Sequence, residues 1–430
     1  MLDTVNLPTL LGLEAMTSLE LQNLGYKKSQ ITVTDGEVSL KVNPEEDIAS
    51  TVAKLNFNLR TAERVLLNLG VFKAYDFDQL YDQTFDLPWQ NWLDYQYFIE
   101  VVGYSRKSKL HSIPSCQGII KKAIIDKLNL VYAYPNNIVP EDKDIGSNRI
   151  QFSLIENQLQ LSLDTTGDPL HKRGYRPFSH EAPLRETLAA GILMISFYKM
   201  NLKNSEVLYD PFCGSGTFLI EAALLATNTA PGLERHFVSE KFQLIGKQAF
   251  DREREHAKTK SLIYNSDLTE ELSQKPQEEL AKMDIILPKK ECRIFGSDIS
   301  KQSIEAAQEN AKRAKVSDLI DFAVRDIRDT SYQDLLSITS NDRILITANP
   351  PYGERLADRE ESQALEEEIR RISQNDANDI HQGIRLSLLT PDKNFEKIMG
   401  CKADRRRKLY NGGIACTLYH YFRFNRKARK

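Results

Sequence analysis

Residues 206–226, EVLYDPFCGSGTFLIEAALLA, constrain the fold more than any other stretch. The strand EVLYD ends at Asp210, a glycine-containing turn follows, and GTFLIEAALLA reads as an apolar helix. Such a unit opens a parallel sheet with crossover helices. Gly214 and Gly216 carry no Cβ, so backbone can approach a ligand closely. The helix starting near Thr217 offers free N–H groups to an anion such as a carboxylate. A lone G-x-G is weak evidence, because the same glycines also serve helix–strand packing. Here the context decides.

That context is three more strands with polar ends. RIFGSD ends at Asp298, IDFAVRD at Asp326 and RILITAN at Asn349. SKQSIEAAQENAKRAKV reads as a helix capped by Ser300, with Ile304, Ala307, Ala311 and Ala314 on one face. IRLSLLT is a later strand, and RKLYNGGIACTLYHYF reads as an antiparallel hairpin around Asn411-Gly412. Ligands of open α/β sheets sit beyond the carboxyl ends of the strands, so these residues outline one pocket with four polar corners. Asp298 suits a ribose diol and Asp326 an adenine amino group, although either also suits a helix cap. With the glycine turn they describe an adenosine bearing a charged tail, the shape of S-adenosyl-L-methionine. The interval from Asp210 to Asp298 far exceeds the ~20 residues that separate glycine loop and ribose-binding acid in dinucleotide folds. Residues 231–290, highly charged and helix-like, therefore read as an insertion of unassigned role.

Asn349-Pro350-Pro351-Tyr352 occupies the fourth corner. The side-chain oxygen of Asn349 and the carbonyl of Pro350 can accept both N–H bonds of an exocyclic amine. That favours a pyramidal nitrogen with its lone pair aimed at a sulfonium methyl. The prolines fix φ, so the acceptors are set before substrate arrives. Tyr352 offers a flat face to a base drawn out of its stack. No strong general base is required, because the alkylated nitrogen sheds its proton easily. The plain alternative is a strand terminator beside a core tyrosine. Pyrimidine C5 methylation needs a cysteine nucleophile, which this motif lacks; Cys213 reads as a small packed residue. His171 and His180 are isolated, and no Ser-His-Asp arrangement or metal-ligand cluster is visible.

Upstream, a strand near 5–10, a helix over 12–24 and the hairpin ITVTDGEVSLKV around Asp35-Gly36 read as a small α+β unit, residues 1–60. Residues 61–166 read as a second. YQYFIEVVGY is a strand, PSCQGIIKKAIIDKLNL a helix, and RIQFSLIE and QLQLSLDTT two strands meeting at Glu156-Asn157. Residues 167–430 form the third and largest part. The five cysteines are odd in number and lack C-x-x-C spacing, against a disulfide framework or structural zinc. No apolar run approaches the ~20 residues that span a bilayer. The acid-bearing start MLDTVNLPTLLGLEAM leads us to expect a cytoplasmic chain without a signal peptide.

Net charge is −3, yet residues 403–430 hold nine Lys or Arg against Asp404 alone. Smaller clusters fall at Arg106, Lys107 and Lys109, at Lys121 and Lys122, and at Lys172, Arg173 and Arg176. Local clusters of this kind can contact phosphates on an acidic protein, and equally can be solvated faces.

DPFCGSGTFLIEAA, GSDIS, NPPYGERL and ADRRRKLYNGG together resemble the THUMP-domain 23S rRNA N2-guanine methyltransferases. LDTTGDPLHKRGYR followed by EAPLRETLAAGIL resembles that family's domain junction. NPPY alone is shared with DNA amino-methyltransferases and protein glutamine methyltransferases. The resemblance covers nearly the whole chain. It implies an α/β fold: a class I, Rossmann-like methyltransferase domain with a mostly parallel sheet and an antiparallel C-terminal hairpin, preceded by α+β ferredoxin-like and THUMP units. It also implies methyl transfer from S-adenosyl-L-methionine to N2 of a guanine in large-subunit rRNA or an assembly intermediate, without metal or membrane. By motif match, the cofactor set comprises Pro183, Leu184, Asp210, Pro211, Phe212, Cys213, Gly214, Ser215, Gly216, Thr217, Asp298, Ile299, Asp326, Ile327 and Asn349. The substrate amine falls on Asn349, Pro350, Pro351 and Tyr352. RNA contacts are expected at Arg106, Lys107, Lys109, Lys121, Lys122, Lys172, Arg173, Arg405, Arg406 and Arg407. Some members carry a second methyltransferase domain behind; with Lys430 as the last residue, we expect no second activity here. Two rival readings are an adenine-N6 nucleic-acid methyltransferase and a non-catalytic RNA-binding assembly protein.

Overall fold

The structure, a computed structural model, describes residues 2–422 except 95, 135, 137, 138, 177–183, 199–205, 277, 278, 280–292, 339–342 and 353–355. Pro183, His180, Cys292 and the basic positions Arg423, Arg426, Lys427, Arg429 and Lys430 lie outside the described residues. The chain divides into two compact units. No helix among the described residues is long and apolar enough to cross a membrane.

The first unit comprises Met1–Thr9, Thr17–Leu170 and Arg235–Glu255. Its strands are β1 (Thr4–Pro8), β2 (Ile31–Thr34), β3 (Glu37–Lys41), β4 (Leu66–Lys73), β5 (Tyr97–Arg106), β6 (Asp142–Ile155) and β7 (Gln158–Asp164). They form one sheet in the order β2-β3-β1-β4-β7-β6-β5. The stretches expected as separate α+β units are thus joined through β1 and β4, with Val5 opposite Leu67 and Asn6 opposite Leu66. Helices α1 (Glu14–Asn23), α2 (Ile48–Asn58), α3 (Phe77–Phe85) and α4 (Ile113–Tyr132) accompany the sheet. Local chemistry sets their ends: Asp47 caps α2 by accepting from the amides of Ala49 and Ser50, and Asp76 caps α3 through Gln79 N–H. The β6–β7 turn puts Glu156 and Asn157 at φ +50° and +64°, the double left-handed geometry of a tight hairpin. On α4 one face is buried at Cys116, Ile120, Ala123, Ile124 and Leu128.

Part of the expected insertion belongs to this first unit. Phe237, Phe242, Ile245, Ala249 and Phe250 are buried in the same core as Val5, Phe57 and Leu163. The Phe57 ring lies 5.3 Å from Phe237 and 5.9 Å from Phe250, centroid to centroid. The Ser239 hydroxyl donates to the Thr165 carbonyl at 2.6 Å. Helix α7 (Lys247–Lys260) begins within this segment. The charged texture belongs to its outer face, and its aromatic residues form the buried one.

The second unit comprises Leu10–Met16, His171–Glu234 and His256–Lys430. Its strands are β8 (Glu206–Asp210), β9 (Ile294–Asp298), β10 (Ile320–Val324), β11 (Arg343–Ala348), β12 (Ile384–Thr390), β13 (Arg405–Asn411) and β14 (Ile414–Tyr421). Their order is β10-β9-β8-β11-β12-β14-β13. The first five strands of that order run parallel, and β14 and β13 are antiparallel. The helices are α5 (Glu186–Ile195), α6 (Thr217–Ala226), α8 (Ser266–Ser273), α9 (Lys301–Arg313), α10 (Tyr332–Ile338), α11 (Leu356–Ser373) and α12 (Phe395–Ile398). Strand β8 is buried at every position, and α6 is buried at all but one. That is why both read as continuous apolar runs. Ser300 caps α9, as its sequence predicts, by accepting from Ser303 N–H at 3.2 Å.

If 235–255 is part of the first core, Phe250→Ala should cost that unit about 3–5 kcal/mol. Hydrogen exchange should then accelerate in α2 and β1. Unchanged protection there would show the segment to be a passive excursion.

Candidate active site

The parallel register brings four strand ends to one edge. Ile346 of β11 sits beside Tyr209 of β8, Asp210 beside Gly296 of β9, and Val324 of β10 beside Asp298. Adjacent strands are ~4.8 Å apart, so Asn349 leaves the sheet one strand away from the glycine turn.

The turn itself is held by the neighbouring strand. Cys213 N–H donates to the Ser297 carbonyl at 2.9 Å, and Gly214 N–H donates to Asp298 Oδ2 at 3.0 Å. The other oxygen of Asp298 accepts from Ser300 N–H at 2.9 Å. Each carboxylate oxygen keeps a second acceptor position for a ligand hydroxyl. Gly214 and Gly216 have φ of +50° and +84°, where an L side chain is strained. A Cβ on Gly214 would enter open space, whereas one on Gly216 would lie 3.1 Å from the Ala307 Cβ. So Gly214 borders free volume beside the turn, and Gly216 lets α9 approach.

Asp210 is buried, and its Oδ1 accepts from Phe212 N–H at 3.0 Å. Burial first, and the nearby Asp298 charge second, push its carboxyl up to about 8. Cys213 is buried and its thiol is pushed well up by the same burial, so it is an inert packed residue. Pro211 is buried; Phe212 and Ser215 are partly exposed. Ile299 projects to solvent at 67% exposure, unusual for an isoleucine at a strand end.

Asn349 supplies an unsatisfied acceptor. Its Oδ1 is buried and has no hydrogen-bond partner among the described residues. Pro350 is buried and Pro351 exposed. Tyr352 is half-buried, and its hydroxyl accepts from Asn411 Nδ2 at 2.6 Å.

Several sequence expectations are corrected. Strand β10 stops at Val324, so Asp326 lies beyond it and caps a single 3-10 turn through Arg328 N–H at 2.9 Å. That turn carries Ile327 inward. Its side chain is buried in the core, and its carbonyl accepts from Arg371 at 3.1 Å. Leu184 is likewise buried in the core. Arg173, expected on RNA, is only 3% exposed and pairs with the fully buried Glu221 at 3.5 Å. A charge in that position cannot reach a phosphate. Arg176 is also drawn inward, pairing with Glu186 at 2.9 Å and donating to Thr217 Oγ1 at 3.1 Å and the Leu184 carbonyl at 3.4 Å. It ties the residues before α5 to the start of α6. Its basic run disguised that role in the sequence. Lys121 pairs with Glu141 at 3.0 Å and Arg406 with Glu396 at 3.2 Å; both pairs are partly exposed, so each charge is shared with a carboxylate but stays within reach of solvent. Arg106, Lys107, Lys109, Lys122, Lys172, Arg405 and Arg406 are exposed, and Arg407 is partly so.

Two concavities of ≈480 and ≈250 Å³ lie elsewhere in the second unit, the first around Leu262, Ser266, Lys315 and Leu319, the second around Tyr175, Leu224, Pro231 and Tyr264. None of the strand-end residues lines either. The candidate site therefore rests on convergent chemistry rather than size. Among the described residues no cluster of His, Cys, Asp and Glu could hold a metal.

The arrangement fits S-adenosyl-L-methionine. A Cβ-free turn borders open space, donors stand at the start of α6, an acid sits at the second strand end, and a neighbouring strand adds an amide oxygen unpaired among the described residues.

The family model for the RMKL-like methyltransferase domain matches residues 173–420. Models for the RlmL ferredoxin-like domain and the THUMP domain match 4–66 and 74–164. The chain is 35% identical to YpsC of Bacillus subtilis, provisionally named an RNA methyltransferase, over 98% of this chain and 96% of that one. It is 32% identical to the ribosomal RNA large subunit methyltransferase K/L of Psychromonas ingrahamii, over 96% of this chain. The chain spans about half the length of that relative, 49%. Two solved structures are each 33% identical with TM-score 0.78. SMU.472, in complex with SAH, is similar over 98% of both chains. A Listeria monocytogenes protein, named from prediction as an N6-adenine-specific DNA methylase, is similar over 98% of this chain and 96% of its own.

Gly216→Ala should destabilise the chain by about 1–3 kcal/mol through its left-handed φ and the Ala307 contact, read by calorimetry. Asp210 keeps a proton when folded that the unfolded chain loses above its ordinary pKa of ~3.9. Ligand-free stability should therefore fall as pH rises from ~4 to about 8 and level off above. Asp210→Asn should flatten that part of a melting-temperature series.

Proposed function

The chain belongs to the RMKL-like methyltransferase family, and on that premise we propose that it methylates the exocyclic N2 of a guanine in large-subunit rRNA with S-adenosyl-L-methionine. The observation that carries this reading is the buried Oδ1 of Asn349, one strand from the glycine turn and without a hydrogen-bond partner among the described residues. A buried acceptor left unmade costs about 1–3 kcal/mol. Such a penalty is retained where a ligand supplies the missing donor.

The glycine turn with Gly214 and Gly216, the start of α6 at Thr217, and Asp298 would hold the cofactor. Bound there, it supplies an electrophilic methyl group on a sulfonium. Asn349 Oδ1 and the Pro350 carbonyl accept the two N–H bonds of the guanine amine. Donating both bonds draws the nitrogen lone pair out of conjugation with the ring. The prolines hold this pair of acceptors without reorganisation. Tyr352 stacks on the flipped base. The proton left on the methylated nitrogen passes to water, so the site needs no strong base.

We place RNA capture on the first unit, in the stretches that match the ferredoxin-like and THUMP models. Exposed Arg106, Lys107, Lys109 and Lys122 supply phosphate contacts there. On the second unit, Arg405 and Arg406 do the same from β13. This assignment agrees with the large-subunit rRNA methyltransferase name of the K/L relatives, of whose length the chain covers about half. The adenine-N6 reading shares the NPPY chemistry and is favoured by the name of the Listeria relative; the THUMP match favours RNA.

Asn349→Ala should lower methyl transfer to RNA by at least about 100-fold, the scale of losing a preorganised polar group in a water-poor site. Calorimetric affinity for S-adenosyl-L-homocysteine and RNA affinity should change less than about threefold. Wild-type turnover in that variant would refute the assigned role.

A further inference from the structure

The turn of the β13–β14 hairpin differs from its sequence reading in one informative way. Asn411 pairs with Ile414 across the hairpin, so the two central turn residues are Gly412 and Gly413. Gly412, at φ +59°, takes the left-handed position that Asn-Gly suggested for Asn411 itself. Asn411 is thereby the last residue of β13, with its side chain released from the turn. That side chain donates through Nδ2 to the Tyr352 hydroxyl at 2.6 Å. Cys416 Sγ, from β14, lies 4.0 Å from the same oxygen. The Tyr352 ring packs beside the core that contains Leu409, Cys416 and Leu418.

The prolines at 350 and 351 fix the backbone before Tyr352 but not the side-chain torsions of Tyr352. The ring torsion of a tyrosine is broad and two-fold. The phenolic oxygen lies on the axis of that torsion, so an anchor there fixes where the ring points, while the packing beside Leu409, Cys416 and Leu418 sets its faces. The phenol stays neutral: burial pushes it up to about 12, against the opposing hydrogen bond from Asn411.

The same strand carries charge. Along β13, Arg405, Arg406 and Lys408 are exposed, while Leu409 is buried. β13 is the last strand of its sheet, so among the described residues one backbone edge has no strand beside it. A polyanionic backbone lying on these side chains ends three to six residues from the group that anchors the ring.

We propose that Asn411 is a positioning residue: it sets the Tyr352 ring for the incoming base and links that ring to an RNA backbone seated on β13. The proposal rests on the reading that Asn349–Tyr352 receives the base. It adds a residue outside that motif and a route by which correct RNA seating improves the chemistry.

The test is a double-mutant cycle in the full chain with Asn411→Ala, Tyr352→Phe and the pair, using single-turnover methyl transfer to unmodified large-subunit rRNA. Asn411→Ala should lower the rate about 3–10-fold, the scale of one hydrogen bond. KM for RNA, affinity for S-adenosyl-L-homocysteine and melting temperature should stay unchanged. Tyr352→Phe should show the same loss, and the double variant should be no slower than Tyr352→Phe alone. Arg405→Gln with Arg406→Gln should raise KM and also lower kcat, and the loss in kcat should vanish when the same pair is made in the Asn411→Ala background. Additive loss in the double variant, or equal loss of cofactor affinity and stability in Asn411→Ala, overturns the positioning role. Absence of RNA methylation by the wild type overturns the underlying reading and this inference with it.

Discussion

The site depends on parallel strand register. β10, β9, β8 and β11 are contiguous in the sheet and leave it at the same edge. Four polar residues far apart in sequence then stand a few strand spacings apart. Asp298 shows the consequence in one side chain. Fixed at the end of β9, it accepts the Gly214 amide of the adjoining turn and the Ser300 amide of its own. The turn is therefore shaped by its neighbouring strand as well as by its glycines. A one-residue slip between β8 and β9 would break this bond and misplace the open space beside Gly214.

Much of this was legible because its signals are local. Strand ends, the Ser300 cap, the tight hairpins and the apolar α6 each occupy one short stretch with a recognisable period or turn residue. What stayed illegible depends on partners distant in sequence. Arg173 and Arg176 read as surface charge until Glu221 and Glu186 are placed beside them. Segment 235–255 reads as polar because its charges outnumber the three phenylalanines that decide where it packs. β4 and α3 went unread, as burial on β4 alternates only in part and α3 is short and acid-rich. The strand before Asp326 ends two residues earlier than its sequence suggests, so Asp326 takes the cap role that its residue type also allows and Ile327 turns into the core.

The charges divide by solvent access. Buried arginines pair with buried carboxylates and hold loops; breaking such a pair costs about 3–5 kcal/mol. Exposed ones on β13 and around β5 have water on one side and can exchange it for phosphate. A net charge of −3 is thus compatible with RNA, since the basic side chains are gathered on particular elements. The acidic polar groups at the strand ends face an opposite demand, to meet the neutral and cationic parts of a nucleoside cofactor.

The central claim is that this rim of the sheet presents acceptors to a guanine amine. The most direct measurement is to incubate the protein with methyl-tritiated cofactor and unmodified large-subunit rRNA, digest to nucleosides and identify the labelled species. The account predicts one labelled nucleoside, N2-methylguanosine. Label on N6-methyladenosine, on a pyrimidine carbon, or on none of the nucleosides would contradict it.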